Sequence, residues 1–219
     1  MTNLTEKEII QIIQKKLNKK FVSEDVEEFR LGKTNFLAKT DTLVQSTDIP
    51  SKMQIGNAVR KSIVACISDF AAKGTKPQFG IMSINFPKKT SKHKVEEIAN
   101  AIKLASKEFS LKILGGDMNE GKEFVFQVCI FGQADSIPKR KGAKIGDLIF
   151  VTGFFGYTGI GLEIMLNSKK INTKLKNKAI KAVIQPIHRL EFGIKNKKYF
   201  TSSMDSSDGL STTLIEMAR

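Results

Sequence analysis

The chain has 219 residues, 41% of them hydrophobic and 26% charged, a balance that belongs to globular proteins rather than to disordered or fibrous ones. No apolar run approaches the roughly 20 residues that cross a bilayer, and the start, MTNLTEKEII, lacks a signal-peptide pattern, so a soluble cytoplasmic protein with no membrane association is expected. The net charge of +14 is carried mostly by lysine, with five arginines, two tyrosines and no tryptophan, a poor set for stacking on bases, so specific nucleic-acid binding is not expected.

In chain order, Thr5 and Glu8 form a capping box ahead of Ile9, Ile10, Ile13 and Leu17, which predicts a short amphipathic helix. Residues 35–39 read as a strand that stops at Thr40-Asp41-Thr42. Residues 55–73 form a long helix, closed by Gly74 with Pro77 three positions later. A strand over 79–86 ends at Pro87. Val95, Ile98, Ile102, Ala105 and Phe109 then line one face of a second long helix. A brief strand at 112–114 runs into Gly115-Gly116-Asp117, and residues 123–134, apolar on both faces, predict a central buried strand. Cys66 and Cys129 lie inside apolar patterns and read as buried small hydrophobes, not as a disulfide or a metal site.

Residues 135–147 carry Pro, Gly, three lysines and an arginine with little apolar content, which marks a linker between a first domain over 1–134 and a second over 148–219. Beyond it a strand at 148–152, a glycine-rich turn, helices near 160–167 and 174–184, and a helical stretch from Pro186 to about Lys195 are expected. The last helix begins near Gly209, where a Ser-Asp-Gly turn ordinarily leads a chain back to its sheet. The second domain therefore reads as incomplete, the product of a C-terminally truncated chain. The fold class expected is mixed α/β of the α+β kind.

The chemistry-bearing residues are acidic and stand at element ends beside Ser, Thr or Gly. They are Asp25, Asp41, Asp69, Asp117, Asp205 and Asp208. Carboxylates are hard oxygen donors suited to Mg²⁺ shared with phosphates, and phosphoryl transfer needs such a charge-neutralising arrangement. Taken singly, each is equally a turn or helix cap. Gly116 to Lys122 has the glycine and lysine spacing of a P-loop, but Glu123 stands in place of Ser/Thr and a strand follows, so it is not one. His93 and His188 have no fixed partner in sequence and read as surface residues. In-line transfer needs neither, since positioning and electrostatics carry most of it.

Taken in order, TDTLVQSTDIP (40–50), ISDFAAKGTKP (67–77), ILGGDMNEG (113–121), RKGAKIGDLIFVTG (140–153), the spacing of Pro186, Arg189 and Gly193, and MDSSDGL (204–210) resemble the thiamine-monophosphate kinase family. This family belongs to the aminoimidazole ribonucleotide synthetase-like superfamily. The resemblance implies ATP as co-substrate, several Mg²⁺ ions, and transfer of the γ-phosphoryl group to thiamine monophosphate. It implies Asp25, Thr40, Asp41, Asp69, Asp117, Asp205 and Asp208 as metal ligands. Gly116, Arg140 and Ser207 would touch ATP, Asp48 would lie near the substrate, and no side chain acts as a separate catalytic group. It also implies a homodimer whose N-terminal sheet-and-helix domains join their strands into a β-barrel, followed by an incomplete C-terminal α/β domain. Several positions depart from the family pattern: Ser23-Glu24-Asp25 for Gly-Asp-Asp, Lys39 for a hydroxyl residue, Asp48 for His, and Met118 and Glu120 for Thr and Arg. Two alternatives stay open: another ATP-using enzyme of the superfamily, of the selenophosphate synthetase or hydrogenase-maturation kind, and, from the departures at Ser23, Lys39 and Met118, an inactive dimeric paralogue.

Overall fold

The computed structural model describes residues 4–17, 22–167 and 171–218. Five strands, β1 (Glu27–Leu31), β2 (Thr34–Val44), β3 (Phe79–Pro87), β4 (Lys112–Gly121) and β5 (Val125–Gln133), form one sheet in the order β1-β2-β5-β3-β4. Helices α1 (Glu6–Lys16), α2 (Gln45–Asp48), α3 (Ile55–Ala72) and α4 (Lys92–Glu108) accompany it, and α5 (Tyr157–Asn167), α6 (Thr173–Ile184), α7 (Leu190–Asn196) and α8 (Leu210–Met217) follow. Only β3 and β4 pair in parallel, and α4 supplies the crossover that a parallel pair requires. This is the mixed α/β class expected from the sequence.

Strand alternation gives the sheet two unlike faces. Leu37, Met82, Ile84, Phe126, Val128 and Ile130 point to one side, each at most 2% exposed, and meet the fully buried Ile63, Ile67 and Phe70 of α3. Burying side chains of this size contributes about 1.5–3 kcal/mol apiece. The other face is open: Phe29 stacks on Phe36 with ring centroids 5.6 Å apart, and Phe79 and Ile81 are 38% and 41% exposed. Cys66 is buried under the sheet as expected, whereas Cys129, in register with Ile81 on the open face, is only half-buried.

Helix ends follow their sequence signals. Glu8 N–H donates to Thr5 Oγ1 and Thr5 N–H to Glu8 Oε2, the predicted box, although no described residue of α1 is buried. The last turn of α3 closes by N–H bonds from Gly74 to Ala71 O (3.1 Å) and from Thr75 to Phe70 O (3.0 Å), with Gly74 at φ 58°.

Several boundaries differ from expectation. β2 does not stop at Thr40-Asp41-Thr42 but continues to Val44, because β5 offers a partner to every residue from Phe36 onward. β4 likewise passes through Gly115-Gly116-Asp117 to Gly121 along β3. β1, for which the short run EEFRL gave no signal, is held by a hairpin whose two-residue turn places Gly32 at φ 59°. Residues 148–152 form no strand: Leu148, Ile149, Phe150 and Val151 are exposed, and no described strand lies beside them to complete a ladder. Past Pro186, helix starts only at Leu190, after Arg189 at φ 51°.

Candidate active site

The helix α3 runs buried under the sheet and delivers Asp69 near its C-terminal end. Asp69 and Lys73 are four residues apart and so share one helix face. Alternation along β2 turns Lys39 and Asp41 to the same side of the sheet, in register with Ile130 and Val128, while Thr40 between them faces the other way. The segment ahead of β1 brings Asp25, and the loop ahead of α8 brings Asp205. That loop is pinned to α3 by Ser203, whose Oγ donates to Ala72 O (2.7 Å).

In this way Asp25, Asp69 and Asp205, from three distant stretches of chain, offer carboxylate oxygens that all lie within 4.8 Å of one another. Asp25 and Asp69 are 2% and 3% exposed. Three cations surround them. Lys39 Nζ lies 2.9 Å from Asp69 Oδ2. Lys73 Nζ, fully buried, pairs with Glu24 and stands 2.8 Å from Asp25 Oδ2. Arg140 Nε donates to Asp25 Oδ1 at 2.5 Å, its Nη1 to Ser23 Oγ at 3.1 Å, and its backbone N–H to Glu24 Oε2 at 3.1 Å.

The electrostatics follow from crowding out of water. Burial, then the neighbouring Asp205, push the Asp69 carboxyl up to about 8, against the pull of Lys39. Burial and the proximity of Asp25 raise Asp205 to about 6. For Lys39 burial works downward, but Asp69, Asp41 and Asp205 outweigh it and hold the ammonium above its ordinary range. The buried Cys66 thiol is pushed up by desolvation and is inert. Three hard oxygen donors, with no His or Cys in the group, suit Mg²⁺ rather than a softer metal. Asp25 Oδ2 is fully buried and faces the Lys73 ammonium at 2.8 Å.

The remaining candidates fall outside this group. Asp41 stands at its edge, where its charge helps hold the Lys39 ammonium above its ordinary range. The Thr40 hydroxyl donates to Val128 O on the open side of the sheet. Asp117, exposed and in register with Ser83, accepts from Asn119 Nδ2 at 2.6 Å. Asp48 caps its own turn by accepting Val44 N–H at 2.7 Å. Ser207 and Asp208 are exposed in the turn before α8, whose N-terminus has no side-chain cap. Gly116 lies where β4 closes on β3: a Cβ there would stand 1.6 Å from Met82 O. Sequence reasoning passed over Lys73. Its signal was available in its place one turn after Asp69 and directly before the helix-closing Gly74.

Residues 23–134 match the family model described as AIR synthase related protein, N-terminal domain. The thiamine-monophosphate kinase of Nitrosopumilus maritimus is 63% identical over 219 residues, covering 100% of this chain and 70% of that protein. The thiamine-monophosphate kinase of Pyrococcus horikoshii is 33% identical, with the same two coverages. Among solved structures, that of AaThiL complexed with AMPPCP and TMP superposes with a TM-score of 0.90 at 26% identity, covering 100% of this chain and 72% of that one. No described helix is long and apolar enough to cross a membrane.

Proposed function

The chain belongs to the thiamine-monophosphate kinase family, and we propose that it carries out the family's reaction: transfer of the ATP γ-phosphoryl group to the phosphate of thiamine monophosphate, giving thiamine diphosphate and ADP. The observation that carries this reading at the level of the site is the gathering of Asp25, Asp69 and Asp205 within 4.8 Å. We assign these three as ligands of one Mg²⁺ ion, with Asp41 at the margin; Thr40, Asp117 and Asp208, outside the group, are assigned to further ions. Bound Mg²⁺ would neutralise charge on the transferring phosphoryl group.

The chain's own residues do the positioning. Arg140, held by Asp25 and Ser23, presents the forked guanidinium geometry that phosphate oxygens take. The uncapped N-terminus of α8 offers backbone N–H groups beside Ser207, the arrangement by which helix starts hold anions. Lys39 stands 2.9 Å from Asp69 and keeps one carboxylate of the group compensated. No nucleophile is needed, since the acceptor is the phosphate of the substrate itself.

In this reading residues 1–134 form the ATP- and Mg²⁺-binding domain, 135–147 the linker and 148–219 the first part of a second domain, all in a cytoplasmic enzyme. Arg140 and Asp205 belong to the linker and second domain, so the site straddles the division. The apolar open face of the sheet, with Phe29, Phe36, Phe79 and Ile81, is the surface on which a second copy would dock to form a homodimer.

The test is thiamine diphosphate formation from thiamine monophosphate, ATP and Mg²⁺ by the full-length protein, beside Asp69→Asn. The wild type is expected to form product and the variant to lose at least about 10²-fold in rate. Absence of product from the wild type, with ATP consumed on another acceptor, would move the assignment to a sister activity. Absence of any ATP consumption would identify an inactive paralogue.

A further inference from the structure

We propose that Lys73 is a built-in counter-cation of the acidic group, a positioning residue that keeps Asp25 and residues 203–205 in place before any divalent cation binds. The inference rests on the Mg²⁺ reading given above. Its basis is the burial and partnering of one side chain. Lys73 has 0% exposure, the least of any charged residue buried in the described chain. A lysine is almost never fully buried unless its charge is matched. Here the ammonium meets Glu24, stands 2.8 Å from Asp25 Oδ2, and donates to Ser203 O at 2.9 Å. One Nζ therefore ties together the segment ahead of β1, the C-terminal end of α3 and the loop that carries Asp205.

The position on α3 strengthens the case. Lys73 is the C-cap residue, where a cation also complements the helix carbonyl end. Its N–H bonds to Asp69 O at 3.0 Å, so the backbone that sets Asp69 also sets Lys73. Around this point four carboxylates (Glu24, Asp25, Asp69, Asp205) face three cations (Lys39, Lys73, Arg140). Without the Lys73 charge the excess of carboxyl groups over cations would rise from one (four against three) to two (four against two), with Asp25 and Asp69 shut away from water. Like charges at this spacing repel strongly there. Lys73 thus takes over part of the neutralisation that a bound cation otherwise supplies, with its ammonium 2.8 Å from Asp25 Oδ2.

A residue with this role must make the protein less responsive to Mg²⁺ than it would otherwise be. The experiment is thermal unfolding of the full chain across an Mg²⁺ titration, without nucleotide, for wild type, Lys73→Met, Lys73→Arg and Glu24→Gln. Lys73→Met is expected to be the least stable in chelator and to gain about 2–4 °C more than wild type on saturation with Mg²⁺. Lys73→Arg is expected to keep the wild-type increment. Glu24→Gln removes one carboxylate and retains the ammonium, so its increment is expected to shrink; this variant serves where Lys73→Met does not fold. Equal Mg²⁺ increments in wild type, Lys73→Met and Glu24→Gln would show a purely structural lysine and overturn the proposal while leaving the Mg²⁺ site intact. No Mg²⁺ response in any of the four proteins would overturn both together.

Discussion

Asp69 has an ordinary carboxyl value of 3.8 in the open chain and about 8 in the folded one, with burial the first cause and Asp205 the second. Between those two pH values the folded protein holds a proton that the unfolded chain has released, so in the absence of metal its stability falls as pH rises from about 4 to about 8. A divalent cation takes the ionised carboxylate and competes with that proton. The Mg²⁺-induced rise in Tm is therefore expected to be larger at pH 8.5 than at pH 6.5, with Asp205, at about 6, contributing to the lower part of the window. Differential scanning fluorimetry at the two pH values checks it, and Asp69→Asn should remove most of the difference. Equal increments at both pH values in the wild type would show that Asp69 is not a site for the ion.

At the scale of elements, the decisive contact is between α3 and α7. A Cβ on Gly193 of α7 would stand 1.9 Å from Ala71 O in the last buried turn of α3, so Gly193→Ala must push the two helices apart. The expected cost is about 1–3 kcal/mol in urea unfolding. Gly159→Ala in α5, with nothing within 4 Å, is the control and is expected to be neutral or mildly stabilising. The elements legible in the sequence were those whose signals are local: the capping box of α1, the long apolar face and closing glycine of α3, the periodic α4, the strands β3 and β5. Those that were not legible depend on partners. β2 and β4 run on past their polar and glycine-rich stretches because a neighbour pairs them, and 148–152 has strand composition but no neighbour. The same division holds at the site. Asp25, Asp69 and Asp205 could be named from motifs, but that these three gather while Asp117 and Asp208 stand apart is a fact of three dimensions. Lys73 was hidden because a lysine in sequence reads as surface, and only the acidic groups folded around it make its burial possible.

For the molecule as a whole, the two faces of the sheet make a prediction about assembly. One face is sealed by α3; the other leaves Phe79 and Ile81 more than a third exposed in the centre of the sheet. A charge placed there should be harmless to the isolated fold and damaging to a contact between copies. Ile81→Lys is expected to sediment as a monomer at concentrations where the wild type is a dimer, with unchanged far-ultraviolet circular dichroism. A monomeric wild type, or a dimeric variant, would remove this face from the assembly. The anchoring of the acidic site has a further consequence in time. Asp25 meets Arg140 across 115 residues, Lys73 meets Ser203 across 130, and Ser68 meets Asp205 across 137. Such closures carry a large loop entropy and form late. On a ribosome adding about 5–20 residues per second, the sheet and α3 can consolidate while the partners of Asp69 and Lys73 are still unsynthesised. The acidic site can close only after residues 203–205 are synthesised, and in the nascent chain its charges meet water and free Mg²⁺ before they meet one another.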